Sequence, residues 1–94
     1  MRIKDHVFIV TGASSGIGLS TATALSNHGA KVALLARSND ALQKLAQQLP
    51  GSLPVTVDMT QFDRVREAVR FVHHHYGRVD GLINNAGRSY AASV

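Results

Sequence analysis

Short apolar runs alternate with longer amphipathic segments along almost the whole of this chain of 94 residues. The first run, residues 7–10, is β-branched and nearly continuous, and residues 31–36 repeat its apolar character. Runs of this kind are typical of strands that are buried on both faces of a parallel sheet. Because each run is separated from the next by a segment with helical spacing, the sequence predicts a doubly wound α/β fold with right-handed crossovers.

The alternation predicts the element order βαβαβαβ and the strand order 3-2-1-4. Four strands are expected, at residues 7–10, 31–36, 53–58 and 79–84. Three helices are expected, at residues 17–28, at residues 40–49 and from a cap at Thr60 to Tyr76. Apolar residues at steps of three and four define the buried face of the third helix: Phe62, Val65, Val69, Val72 and Tyr76. Residues from Asn85 onward are expected to form a loop.

Composition excludes several classes of protein. Cysteine is absent, which excludes disulfides, thiolate metal sites and a cysteine nucleophile. The longest apolar stretch, residues 32–36, is far shorter than the ~20 residues that cross a bilayer. The charged start of the chain is also unlike a secretory signal. We therefore expect a cytoplasmic protein without membrane contact.

The chain carries a net charge of +4, which favours an anionic partner such as nucleic acid or a phosphorylated cofactor. Its few aromatic residues are not interleaved with arginine, which argues against nucleic acid. Arg64, Arg66 and Arg70 are expected to form a solvated face with neighbouring carboxylates. The histidines at 73–75 are adjacent on a helix and therefore point about 100° apart, so no metal site is predicted.

Three glycines, Gly12, Gly16 and Gly18, lie between the first predicted strand and the first predicted helix. A tight turn at this position directs backbone N–H groups and the positive end of the helix toward an anion, which predicts a phosphate-binding turn. Their spacing is not that of the G-x-G-x-x-G fingerprint, and the Gly-Lys-Ser/Thr ending of a nucleoside triphosphatase loop is missing. The alternative is a turn with no ligand.

The segment Thr11-Gly12-Ala13-Ser14-Ser15-Gly16-Ile17-Gly18, together with Asp58 and Asn84-Asn85-Ala86-Gly87, resembles the short-chain dehydrogenase/reductase family. The resemblance implies a partial Rossmann-like sheet. It also implies that residues 1–94 are the N-terminal part of a single dinucleotide-binding domain whose catalytic remainder is absent.

The resemblance further implies cofactor contacts at named positions. The pyrophosphate and adjoining ribose are expected along Ser14, Ser15, Gly16 and Ile17, and Gly18 is expected to let the helix pack closely on the sheet. Asp58 is expected to accept a hydrogen bond from the adenine amino group, with Met59 near the ring. The ribose side is expected to be lined by Asn85, Ala86 and Gly87.

Two of these assignments have structural alternatives. Asp58 also fits a cap that precedes the third helix near Thr60. Asn84 and Asn85 also fit turn residues that tie the fourth strand to its neighbours.

The family resemblance implies hydride transfer between a nicotinamide cofactor and a carbonyl or alcohol carbon, by an enzyme that forms homo-oligomers. No catalytic residue can be assigned: Tyr90 begins a pattern similar to Tyr-x-x-x-Lys, but Val94 stands where the lysine belongs. The 94-residue chain alone is therefore expected to be inactive. The alternative is a nucleotide-binding or regulatory module without catalysis.

The end of the second strand predicts which dinucleotide is preferred. An NAD-selective site places a carboxylate there, which binds the ribose 2′-hydroxyl and repels a 2′-phosphate. This sequence has Ala36 at that position, followed by Arg37 and Ser38. A guanidinium binds phosphate through two hydrogen bonds, so NADP is expected over NAD. The alternative is a solvent-facing Arg37 beside a helix cap at Ser38.

Overall fold

The computed structural model describes residues 3–14 and 16–85. The strands are β1 (Val7–Thr11), β2 (Lys31–Ala36), β3 (Leu53–Thr56) and β4 (Gly81–Ile83). The helices are α1 (Gly16–Asn27), α2 (Asn39–Gln48) and α3 (Phe62–Tyr76). The predicted order βαβαβαβ is therefore confirmed.

The four strands form one parallel sheet in the order β3-β2-β1-β4, as predicted. Side chains alternate between the two faces of the sheet. On one face, Val10 and Leu34 belong to a buried cluster with Leu42 and Leu45 of α2. On the other face, Ile9 and Leu35 belong to a second buried cluster that includes Val72 of α3. The two central strands, β1 and β2, are thus buried between two layers of helix, which accounts for their near-continuous apolar sequences.

The start of α3 differs from the prediction in two respects. The N-cap is Gln61, whose side chain makes no capping hydrogen bond, and Thr60 instead donates to Asp58. Phe62 fits the spacing of the apolar face but is 73% exposed. It occupies the first position of the helix, and its ring contacts the guanidinium of Arg66 rather than the sheet. At the other end, Gly77 terminates the helix as predicted, with a φ of 81°.

Both outer strands are shorter than predicted. β3 ends at Thr56, although the N–H of the next residue, Val57, still donates to the carbonyl of Ala36 at the edge of the sheet. β4 begins only at Gly81. At the preceding residue, Asp80, the N–H donates to the carbonyl of Val7 and the carboxylate accepts from the N–H of Val7, both at 2.7 Å.

We expect the Asp80 contact to make stability depend on pH. Hydrogen bonds from Arg78 and from the N–H of Val7 hold the pKa of the Asp80 carboxyl below its usual range. A lowered folded-state pKa stabilises the fold above the unfolded pKa of about 3.9, and this stabilisation is lost as the pH falls through the folded pKa. Urea unfolding should be measured from neutral to acid pH for wild type and Asp80→Asn. At neutral pH the variant should have the lower free energy of unfolding, and the difference between the two proteins should shrink below about pH 4.

The control for this prediction is Asp63→Asn. Asp63 is 90% exposed and its contact with Arg66 is 3.7 Å long, so its removal should have little effect at any pH. A constant difference between wild type and Asp80→Asn across the acid range would contradict the assignment.

Within residues 3–14 and 16–85, no helix has the length and apolar character needed to span a membrane.

Candidate functional site

The four strands are parallel, so their carboxyl ends lie at one edge of the sheet. In the spatial order of the strands, the chain leaves this edge at Asp58 after β3, Arg37 after β2, Gly12 after β1 and Asn85 after β4. The sequence prediction that these four positions share an edge is consistent with this topology. In open α/β sheets this edge is where ligands bind.

The turn between β1 and α1 depends on its glycines. Gly12 and Gly16 have φ values of 62° and 57°, a region that costs other residues about 1–2 kcal/mol. Gly18 lies on the first turn of α1, where a Cβ atom would overlap the carbonyl oxygen of Gly12 and lie 2.7 Å from its carbonyl carbon. The helix start therefore rests directly on the backbone of the preceding turn. The N–H of Ala13 also donates to Leu35 at 3.3 Å, which ties the turn to β2.

The first turn of α1 carries no acidic residue, so no side-chain carboxylate there neutralises the positive end of the helix dipole. Ile17 is 75% exposed beside Gly16, and Ser14 is half-buried in the turn before the helix. An exposed isoleucine at the start of a helix leaves apolar surface available to a ligand. These positions provide the surface on which the predicted pyrophosphate contacts depend.

Thr11 links the end of β1 to the segment after β4. Its side chain is 1% exposed, and its hydroxyl donates to Oδ1 of Asn84 at 2.9 Å and accepts from the N–H of Asn85 at 2.8 Å. Asn84 and Asn85 thus take part in the structural tie that was the alternative to ligand contact. The nitrogen Nδ2 of Asn85 is buried and has no hydrogen-bond partner among the described residues. Asn85 therefore combines a structural backbone contact with an unsatisfied side-chain donor.

We expect Thr11→Val to destabilise the fold by about 1.5 kcal/mol, because the part-buried N–H of Asn85 loses its acceptor. Thr11→Ser, which keeps the hydroxyl, is the matched control. Urea unfolding should place the serine variant much nearer to wild type than the valine variant. Equal stability of the valine variant and wild type would show that the hydroxyl is not needed.

At the end of β2, Ala36 is 6% exposed and Arg37 is exposed. The hydroxyl of Ser38 accepts a hydrogen bond from the N–H of Ala41 at 3.4 Å and caps α2, so the capping role considered for Ser38 is present. Its hydroxyl proton is still available to donate to a ligand.

At the end of β3, Oδ1 of Asp58 accepts hydrogen bonds from the hydroxyl and the N–H of Thr60, at 2.7 and 2.9 Å. These bonds, with a smaller contribution from the positive charge of Arg37, hold the pKa of the Asp58 carboxyl below its usual range. The local role considered for Asp58 is therefore real, although the helix cap itself is Gln61. Both hydrogen bonds use Oδ1, and no described residue binds Oδ2.

A cavity of about 640 Å³ opens beside Asp58, between β3 and α3. Its lining includes one aromatic residue, Phe71, and five residues with charged or amide side chains: Arg37, Asp58, Gln61, Arg64 and Glu67. The volume lies within the roughly 300–1,000 Å³ that is usual for small-molecule sites. The sequence predicts a solvated face for Arg64 and no role for Gln61, because helical spacing does not show that β3 leaves this side of α3 open.

Five positions discussed from the sequence lie outside the described residues: Ser15, Ala86, Gly87, Tyr90 and Val94. Met59 is half-buried next to Asp58. Residues 73–75 are the exposed histidines of the last turn of α3. No group of three or more histidine or acidic side chains is placed to hold a metal ion within the described part of the chain.

The family model for short chain dehydrogenase matches residues 6–94. The chain belongs to the short-chain dehydrogenase family. An uncharacterised oxidoreductase of Staphylococcus saprophyticus is 44% identical over 89 residues, which are 92% of this chain and 36% of that protein.

Solved structures of short-chain dehydrogenases share the fold. A variant of the actinorhodin polyketide ketoreductase, determined with NADPH, has a TM-score of 0.84 and 36% identity over 89% of this chain and 34% of its own. The 3-ketoacyl-(acyl-carrier-protein) reductase of Brucella melitensis, determined with NADH, has a TM-score of 0.81 and 30% identity over 85% of this chain and 33% of its own. The chain therefore spans about a third of the length of these relatives.

Short-chain dehydrogenases bind a nicotinamide dinucleotide, and the residues present here fit such a group. The contact between Gly18 and Gly12 leaves no room for a side chain at Gly18, whereas a Cβ at Gly16 would have no neighbour within 4 Å among the described residues. Within that part of the chain, Nδ2 of Asn85 is an unsatisfied donor and Oδ2 of Asp58 is an unused acceptor. Donors, an acceptor and an open backbone surface thus lie along one edge of the sheet.

Proposed function

We propose that this chain is the coenzyme-binding segment of an NADP-dependent short-chain oxidoreductase, which transfers hydride between NADP(H) and a carbonyl or alcohol substrate. The observation that carries the preference for NADP is the end of β2, where no carboxylate is present and Arg37 and Ser38 follow Ala36. One relative was determined with NADPH and another with NADH, so the choice rests on the residues of this chain.

Each part of the edge has a proposed role. The pyrophosphate and the adjoining ribose are bound by the turn and the start of α1, through Gly12, Ser14, Ser15, Gly16 and Ile17. Gly18 keeps the start of α1 against the backbone of that turn. The ribose side is lined by Asn85, Ala86 and Gly87.

At the other end of the edge, Oδ2 of Asp58 accepts a hydrogen bond from the adenine amino group, and Met59 packs near the ring. The hydrogen bonds from Thr60 keep the carboxylate ionised and fix its orientation, which favours acceptance over donation. Arg37 and Ser38 bind the phosphate on the adenosine ribose. This chain thus binds and orients the dinucleotide.

When bound, the nicotinamide ring supplies or accepts the hydride. We propose that residues 1–94 are the N-terminal part of a single dinucleotide-binding domain, with the catalytic serine, tyrosine and lysine in polypeptide beyond Val94. The whole protein is proposed to be a cytoplasmic homo-oligomer whose partners are the dinucleotide and a small carbonyl or alcohol compound, without nucleic acid or membrane.

Transfer of deuterium tests the proposed reaction. NADPH carrying deuterium at C4 is incubated with a panel of carbonyl compounds, and the alcohols are analysed by mass spectrometry. We expect the coding sequence beyond Val94 to contain a serine and a Tyr-x-x-x-Lys motif, and the polypeptide that includes them to place deuterium on the alcohol carbon. The purified 94-residue chain should transfer none.

Two results would overturn this proposal. One is turnover by the 94-residue chain that Tyr90→Phe abolishes, because the proton donor would then lie within it. The other is the absence of the downstream motif together with nucleotide binding but no transfer, which would favour a regulatory module.

A further inference from the structure

We propose that Arg64 of α3 is a second cationic contact for the phosphate on the adenosine ribose and acts beside Arg37 in selecting NADP over NAD. The inference rests on the proposed function, since it assigns a further specificity-determining residue to the same site. It would make discrimination between the two dinucleotides a property of two elements, the end of β2 and the first turn of α3.

The shared cavity is the first observation. Arg37 and Arg64 both line the space of about 640 Å³ beside Asp58. Arg37 enters it from the loop after β2, and Arg64 enters it from α3, two residues after the helix begins. Two arginines from two different elements therefore line one volume.

The second observation is that neither guanidinium has a carboxylate partner within salt-bridge distance among the described residues. The ion pairs in that part of the chain join Arg66 to Asp63 at 3.7 Å and Arg78 to Asp80 at 2.6 Å. Because neither arginine is held in a close ion pair within the described residues, both can bind an anion that enters the cavity.

Two carboxylates, Asp58 and Glu67, also line the cavity and must be considered. Asp58 is held by Thr60 through Oδ1, and its free oxygen is the proposed acceptor for the adenine amino group. Glu67 lies three residues further along α3 than Arg64, about 4.5 Å along the helix axis. Since α3 begins after β3 leaves the carboxyl edge, Arg64 is nearer than Glu67 to the edge where the dinucleotide lies.

The chemistry of the ligand suits two guanidinium groups. A phosphate monoester has three terminal oxygens, and one guanidinium fork occupies two of them. A second arginine from another element can bind the third oxygen. NADH has only a hydroxyl at this position, so the second arginine strengthens the binding of NADPH without strengthening that of NADH.

Calorimetry with two fragments of the cofactor tests the inference. The probes are adenosine 2′,5′-bisphosphate, which carries the distinguishing phosphate, and adenosine 5′-monophosphate, which lacks it. We expect Arg64→Ala to weaken binding of the bisphosphate by about tenfold and to leave the affinity for the monophosphate unchanged. Arg64→Lys keeps the charge but not the fork and should fall between Arg64→Ala and wild type.

The matched control is Arg70→Ala. Arg70 is exposed on the same helix and lines a different cavity with His73 and His74, so its replacement removes the same charge from another surface. Arg70→Ala should weaken binding of the bisphosphate and of the monophosphate only slightly, because it removes one distant positive charge. Urea unfolding of each variant should match wild type, because both arginines are exposed.

The possible outcomes separate this inference from the proposed function. If wild type prefers the bisphosphate and Arg37→Ala removes that preference while Arg64→Ala does not, the function stands and the role of Arg64 is overturned. The role of Arg64 is also overturned if Arg64→Ala weakens binding of both probes equally. It is likewise overturned if Arg70→Ala weakens binding of the bisphosphate as much as Arg64→Ala does. If wild type shows no preference for the bisphosphate, both proposals fail.

Discussion

Replacement of Gly18 by alanine is expected to lower the free energy of unfolding by about 3 kcal/mol, at the upper end of what overpacking usually costs. The added Cβ would overlap the carbonyl oxygen of Gly12 and approach the Cα of Ala13 to 3.3 Å. These are backbone atoms, which cannot turn aside as the end of a flexible side chain can. Relief requires α1 to move away from the sheet or the turn to change its shape.

Either movement displaces the N–H groups that the proposed pyrophosphate contacts need, so Gly18→Ala should also abolish measurable dinucleotide binding. Two controls separate the overlap from other effects. Gly16→Ala has open space around its Cβ but keeps a φ of 57°, and should cost only about 1–2 kcal/mol of backbone strain. Ser20→Ala, exposed on α1, should be neutral or slightly stabilising.

Urea unfolding and calorimetry measure both effects of these substitutions. A Gly18→Ala protein with wild-type stability would show that α1 does not rest on the backbone of Gly12. If that variant loses dinucleotide binding but keeps wild-type stability, Gly18 matters for ligand binding and not for the stability of the fold.

The second large effect is expected at the end of β2. Arg37→Ala should weaken binding of NADPH by about 10-fold to 100-fold, the equivalent of a charge-assisted contact of roughly 1.5–3 kcal/mol. The affinity for NADH should be almost unchanged. Ala36→Asp should weaken binding of NADPH and strengthen binding of NADH. Its carboxylate would bind the ribose hydroxyls of NADH and repel the phosphate of NADPH.

Lys44→Ala is the control for the removal of a positive charge. Lys44 is exposed on α2, away from the carboxyl edge, and its replacement should affect NADPH and NADH equally and weakly. Titration calorimetry of all variants with both dinucleotides gives the comparison. An equal loss of NADPH and NADH in Arg37→Ala would contradict a phosphate contact for Arg37.

The fold could be predicted because its main signal is local. The apolar runs at Val7–Thr11 and Lys31–Ala36 and the spacing of α2 depend on residues that are close in sequence, and the handedness of crossovers then limits the topology. The start of α3 was harder to predict. Thr60 has a capping side chain, but Asp58 binds its hydroxyl and N–H, and Phe62 has the right spacing at a position beyond the sheet.

The site shows the same division. Gly12, Arg37 and Asp58 could be placed because each lies at or just after the carboxyl end of a predicted strand of a parallel sheet. The cavity that joins Arg37 to Arg64 could not, because it depends on how far β3 extends and on how α3 packs beside it. A structural tie through Asn84 and Asn85 was one of the predicted alternatives, but Thr11 could not be identified as their partner, because the hydrogen bonds join distant segments of the chain.

The central claim is that the carboxyl edge of this sheet binds NADP in preference to NAD. Its most direct test is titration calorimetry of the wild-type protein with NADPH and with NADH under the same salt and pH. We predict that NADPH binds about 10-fold to 100-fold more tightly, from the contact energy expected of a guanidinium and a phosphate. Binding of NADH that is as tight as that of NADPH, or tighter, would contradict the account.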